Sequence, residues 1–152
     1  MTLEELTAIE QIRQLKARYF RFLDRKQWDD LKQLFTEDLH VEINEPSGSM
    51  QIDGRDDFVA GLSAILENIV TVHHGHMSEI KLEGPDLASG IWAMEDHLSP
   101  SPAGDGEHYW GLGWYEERYA RGEDGCWRIA KFRLVRQRVA VDGKQIFPVP
   151  AD

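Results

Sequence analysis

Three polar side chains fall where the hydrophobic pattern of the sequence calls for apolar ones. Tyr19 lies on the stripe Ile12, Leu15, Tyr19 and Phe22, whose spacing is that of one helix face. A buried phenol needs a partner for its hydroxyl. That hydroxyl either bonds a backbone carbonyl or serves as a donor to a developing oxyanion. Asp96 shares a period-two face with Trp92, Met94 and Leu98. A carboxylate in that company must be paired or neutral, because an isolated buried charge is very costly. Arg136 repeats the pattern beside Ala130, Phe132 and Leu134, and a buried guanidinium equally demands a carboxylate. Asp96 and Arg136 are therefore expected in one polar network, as a direct pair or through other members.

The string Val72-His73-His74-Gly75-His76 holds three of the six histidines. His74 and His76 share strand parity, and such a pair can bind zinc or iron. A usable site needs a third ligand, and no motif supplies one at a recognisable spacing, so no metal is expected. A histidine acting as general base suits neutral-pH chemistry in a metal-free pocket. Parity does not choose between His73 and His74, since a bulge at Gly75 would exchange their faces.

The elements that must position these groups read as helices first and strands after. An amphipathic helix over 3–24 is opened by Thr2 and Glu5 in the spacing of a capping box. A short helix over 28–35 carries Trp28, Leu31, Leu34 and Phe35. Leu39, Val41 and Ile43 then alternate with His40, Glu42 and Asn44 as in a strand. Pro46, Ser47 and Gly48 mark a turn, and a third helix fits 56–69 with Phe58, Leu62, Ile65 and Leu66 as its apolar face. Four long segments follow, 71–83, 87–99, 107–121 and 126–140, rich in β-formers and separated by Gly, Pro and Asp clusters. Helices followed by a run of antiparallel strands predict an α+β fold with helices on one face of the sheet. A strongly curved sheet covered in this way encloses a cone-shaped pocket.

The 152 residues suit a single domain spanning 1–152. No stretch reaches the roughly 20 apolar residues that cross a bilayer, and the acidic opening MTLEELTAIE is unlike a targeting signal. A cytoplasmic protein with no membrane partner is expected. The net charge of −10 argues against nucleic acid. The cations Arg128, Lys131, Arg133, Arg136 and Arg138 alternate with apolar residues like a strand face, not a phosphate track. One cysteine, Cys126, permits no intrachain disulfide and reads as a small strand residue.

Four segments stand out together: Ala17-Arg18-Tyr19-Phe20-Arg21-Phe22-Leu23-Asp24, Val72-His73-His74-Gly75-His76-Met77-Ser78-Glu79-Ile80, Gly90-Ile91-Trp92-Ala93-Met94-Glu95-Asp96, and the stretch from Asp124-Gly125-Cys126-Trp127 to Val135-Arg136. They resemble the SnoaL-like proteins of the nuclear transport factor 2-like superfamily, and most of all their bile-acid 7α-dehydratase branch. The resemblance implies a catalytic set of Tyr19, Asp24, His73, Asp96 and Arg136. It thus selects His73 over His74 and adds Asp24. It further implies a deep apolar pocket, no cofactor, a small apolar or aromatic substrate, and assembly as a homodimer or homotrimer. The reaction expected is a dehydratase-type elimination by a lyase. The alternatives are a lyase releasing formaldehyde from lignin-derived diaryl compounds, an isomerase or polyketide-cyclase-like enzyme, and a binding module without activity. Trp92, Met94, Trp110 and Trp114 are candidates for pocket walls. The loop 99–106, with Pro100 and Pro102, and the aromatic run 109–115 need not match steroid-handling members.

Overall fold

The computed structural model describes residues 1–45, 48–100 and 106–148. Helix α1 (Leu3–Asp24) starts at the expected capping box: the Thr2 hydroxyl accepts from the Glu5 amide at 3.1 Å, and the Thr2 amide donates to the Glu5 carboxylate at 2.6 Å. Helix α2 (Trp28–Lys32) is shorter than its apolar residues suggest. Leu34 and Phe35 leave it for the core, and Phe35 opens strand β1 (Phe35–Glu45). Strand β2 (Gly48–Asp53) pairs back on β1, and helix α3 (Arg55–Leu66) follows. Pro46 and Ser47 of the expected turn lie outside the described residues. In α3 the buried side is set by Phe58, Val59 and Leu66, with Ile65 left 65% exposed on the flank.

Strands β3 (Val70–Leu82), β4 (Leu87–Ser99), β5 (Tyr109–Arg121) and β6 (Trp127–Val141) match the four expected segments to within two residues at each end. Cys126 falls just before β6 and is exposed. A last strand, β7 (Lys144–Phe147), returns along β6 through Asp142 and Gly143, both at positive φ. That is the two-residue turn whose twist suits a hairpin, and Gly143 takes its left-handed position without steric cost.

The sheet runs β2-β1-β6-β5-β4-β3, with β7 beside β6. All pairs are antiparallel except β1 with β6, which run parallel. Register shifts in β1, β3, β5 and β6 mark bulges, which bend strands and increase twist. The sheet curls accordingly around α1, which packs on β3 and β6, and α3, which packs on β1. Between them lies one apolar core, including Ile12, Leu15, Phe35, Leu39, Phe58 and Ile129. Among the described residues no helix is long and apolar enough to cross a membrane.

Candidate active site

Asp24 closes α1, and the way the helix ends aims its carboxylate. The Gln27 amide donates to the Phe22 carbonyl at 2.9 Å and the Lys26 amide to the Leu23 carbonyl at 3.1 Å, with Lys26 at φ 58°. This is a Schellman stop with lysine in the left-handed position. A carboxylate at the negative end of a helix dipole is disfavoured and must be held by donors. Three hold it. The His73 ring Nδ1 lies 2.6 Å from Asp24 Oδ1, the His73 amide donates to Oδ2 at 2.9 Å, and the Thr71 hydroxyl donates to Oδ1 at 2.9 Å. The Lys26 ammonium in turn donates to the Thr71 hydroxyl at 2.8 Å.

With Nδ1 donating to Asp24, the neutral imidazole of His73 carries its lone pair on Nε2; this tautomer is assigned from its partners. Nε2 lies 4.0 Å from Asp96 Oδ2. Register explains the meeting. His73 stands directly across from Asp96 on β4, and Asp96 stands across from Gly111 on β5. Arg136 reaches over Gly111 from β6, and its Nη1 donates to Asp96 Oδ1 at 2.7 Å. A Cβ on Gly111 would sit 2.3 Å from both of those atoms. The missing side chain is the space the ion pair occupies, which is a positional meaning of glycine inside a strand. Both charged side chains are buried. Burial works against the Arg136 charge, but the hydrogen bond to Asp96 and the attraction of its charge together outweigh it and hold the guanidinium above its ordinary range. Nη1 also contacts Met94 Sδ at 3.7 Å, and the guanidinium lies 5.4 Å from the Tyr109 ring centroid. Arg136 Nε and the Tyr109 hydroxyl are buried without a partner among the described residues. Burial pushes the Tyr109 phenol up to about 12.

Tyr19 enters the same interior from α1, its ring edge-on to Phe20 and Phe35 at centroid distances of 5.3 and 6.1 Å. Its ring also meets that of Tyr115 edge-on, at a centroid distance of 6.2 Å. Burial first, then the negative field of Glu117, Asp24 and Asp96, holds its proton far above the ordinary phenol range. It is therefore a hydrogen-bond donor and not a phenolate.

The structure thus joins Asp24, His73, Asp96 and Arg136 into one chain, with Tyr19 packed beside it. His73 and Asp24 border an open groove of about 490 Å³ that also takes in Ala17, Phe20, Gly75, His74 and His76. The four residues expected as pocket walls lie in different places. Met94 touches Arg136, but Trp92 donates to the Tyr119 hydroxyl at 2.9 Å in the core. Trp110 projects to the opposite sheet face, where it donates to Glu95 at 3.0 Å and stacks on His97. Trp114 alternates with the buried Tyr115 and is 41% exposed, bordering an adjoining groove of about 780 Å³ with Trp92 and Phe20. Strand alternation puts Tyr109, Gly111 and Tyr115 on the pocket side instead.

Sequence reasoning passed over a second buried pair. Lys16 and Glu117 form an ion pair with both side chains fully buried. The ammonium sits 3.7 Å from the Tyr115 ring centroid and 4.1 Å from that of Tyr19. Glu117 also accepts from the Tyr119 hydroxyl at 2.6 Å. Burial lowers the Lys16 pKa, and Glu117 opposes that shift. The signal was available: Lys16 lies four residues after Ile12 and three before Tyr19, on the same helix stripe.

Helices laid inside a curled sheet, with a histidine–carboxylate chain on its inner wall, define the class as a helix-filled, curved-sheet α+β protein. The sequence matches the SnoaL-like domain over residues 4–133, and the chain belongs to the SnoaL-like family. A probable cyclase of Gibberella zeae is 28% identical over 134 residues, covering 82% of this chain and 88% of that protein. A putative scytalone dehydratase from Novosphingobium aromaticivorans shares the fold with a TM-score of 0.81 at 20% identity, covering 92% of this chain and 91% of that one. A hexachlorocyclohexane dehydrochlorinase from Novosphingobium barchaimii does so with a TM-score of 0.74 at 16% identity, covering 91% and 92%.

Proposed function

We propose that the chain is a cofactor-independent lyase that carries out a dehydratase-type elimination on an apolar cyclic or aromatic small molecule. The observation that carries this reading is the orientation of His73, whose Nδ1 is held by Asp24 at 2.6 Å while Nε2 faces Asp96. That arrangement leaves one basic nitrogen aimed into the interior, as a general base requires. Nε2 takes a proton from a carbon next to a conjugating group, and the C–H electron pair becomes the new double bond as the hydroxyl departs. Tyr19, with its proton firmly held, donates a hydrogen bond to the leaving oxygen. The imidazolium formed lies between two carboxylates, Asp24 and Asp96, with Arg136 balancing the second. It returns its proton to the leaving hydroxide, so water is the product and the enzyme is restored. Arg136 Nε and the Tyr109 hydroxyl have donor capacity for a polar substituent of the substrate. Two structural relatives bear the names of eliminating enzymes, which supports the reaction class. The resemblance to bile-acid 7α-dehydratases makes a hydroxylated steroid the first substrate to try.

The test is turnover of a panel of hydroxylated steroids and lignin-type phenolics, read by mass spectrometry for loss of water. Tyr19→Phe and His73→Ala are each expected to lower kcat by about 10²–10⁴-fold with melting curves nearly unchanged. Full activity in both variants would sink the assignment. Release of formaldehyde, or a product of unchanged mass, assigns another reaction to the same base. Binding without turnover across the panel favours a binding module.

A further inference from the structure

We propose that His74, His76 and Glu95 form a binding site for a first-row divalent transition-metal ion, of the zinc or cobalt type, on the outer face of the sheet. Their donor atoms all lie within 4.8 Å of one another. The third ligand that the sequence around the histidines lacks comes from the neighbouring strand, where Glu95 pairs with His74 in the β3–β4 register. His76 shares the outward parity of His74, and its Nε2 lies 3.7 Å from Glu95 Oε2.

The carboxylate is already oriented for this task. Glu95 Oε1 accepts from Trp110 Nε1 at 3.0 Å and lies 3.0 Å from His97 Nε2. The imidazole of His97 is itself placed by a relay: the Ser99 hydroxyl lies 3.1 Å from His108 Nδ1, and His108 Nε2 lies 3.1 Å from His97 Nδ1. Run in one direction, each group donates to the next and the last proton points at Glu95 Oε1. Oε2 is left toward the two imidazoles. Hydrogen bonds that fix a ligating carboxylate are the usual supporting shell of a metal site. They also hold Glu95 ionised, the His97 bond first and the Trp110 bond second.

Two imidazoles and one carboxylate suit zinc, cobalt, nickel or ferrous iron over magnesium or calcium, which prefer all-oxygen shells. Three protein ligands leave coordination positions open to water. His74 and His76 border the same groove as Asp24 and His73, but strand alternation turns His73 inward and His74 outward, so the ligands are not members of the proposed catalytic chain. An ion there would tie β3, the terminal strand of the sheet, to β4.

Tag-free protein, stripped with a chelator and dialysed, is titrated with CoCl₂ by absorbance and with ZnCl₂ by calorimetry. One equivalent is expected to bind saturably, with ligand-field bands that zinc displaces. His76→Ala and Glu95→Gln are expected to weaken binding about tenfold or more, and Trp110→Phe by a smaller factor. His40→Ala, far from the site, should match the wild type. Zinc should raise the melting temperature of the wild type but not of His74→Ala/His76→Ala. No saturable binding, or undiminished binding in that double variant, would overturn the proposal.

Discussion

Over Gly111 the Asp96–Arg136 pair leaves no room for a further side chain. Asp96 and Arg136 meet over Gly111, and any β-carbon there overlaps both. Gly111→Ala is expected to destabilise the fold by about 1–3 kcal/mol, as overpacking does, and to lower kcat by displacing the pair. A urea melt and a kinetic run on the same preparation check both, and an undisturbed melt would mean the pair can move aside. Asp96 and Arg136 were legible in the sequence because each is a charge on an otherwise apolar strand face. Asp24 was not, because polar residues are ordinary at a helix end and nothing in its spacing shows what it will meet. The choice between His73 and His74 turned on whether Gly75 bulges. It does not: the β3–β4 register is unbroken from Val70 to His76, and the irregularity comes only before Glu79. Simple alternation therefore turns His73 inward.

Helix α1 is bound to the sheet by more than apolar contact. The Lys16–Glu117 pair joins it to β5, and Lys16 lies over the rings of Tyr19 and Tyr115. Removing one partner leaves a buried charge alone, so Lys16→Met or Glu117→Gln should each cost about 3–5 kcal/mol, whereas replacing both should cost far less. A double-mutant cycle in urea measures the coupling, and strict additivity would mean the two charges do not sense one another. The same reasoning shows which elements could be read ahead of the structure. Strands β3 to β6 are long, half-buried and bounded by turn residues, so alternation exposes them. Strand β2 has almost no buried side and thus no pattern to read. Strand β7 is only four residues long, although the Asp142-Gly143 pair ahead of it is a hairpin signal that deserved weight. In the aromatic run 109–115 composition alone does not sort the rings, and only the strand phase separates Tyr109 and Tyr115 from Trp110 and Trp114.

Across the whole molecule the four tyrosines behave as one set. Tyr19, Tyr109, Tyr115 and Tyr119 all hold their protons above the ordinary phenol range, with burial the first cause in each. In the unfolded chain each loses its proton near pH 10, while the folded chain retains it. Above that pH the unfolded state therefore binds fewer protons, and stability falls as pH rises; below it the contribution is complete. Each phenol contributes a slope of about 1.4 kcal/mol per pH unit, and Lys16 and Lys26, both shifted the other way, oppose by at most one proton each. Urea midpoints measured from about pH 9 to 11 should drop steeply at the upper end, and tyrosinate absorbance should appear only as the protein unfolds. Absorbance rising near pH 10 with the fold intact would contradict this. The strand order has a consequence for synthesis. Strand β6 lies between β1 and β5, yet it is the last long strand to leave the ribosome. The 96 residues from the end of β1 at Glu45 to the end of β6 at Val141 take about 5–20 s to translate at roughly 5–20 residues per second. For that interval Leu39, Val41 and Ile43, buried in the finished sheet, have no strand to lie against but β2. The nascent chain is most in need of a chaperone while it is making the half of the sheet that carries His73, His74 and His76.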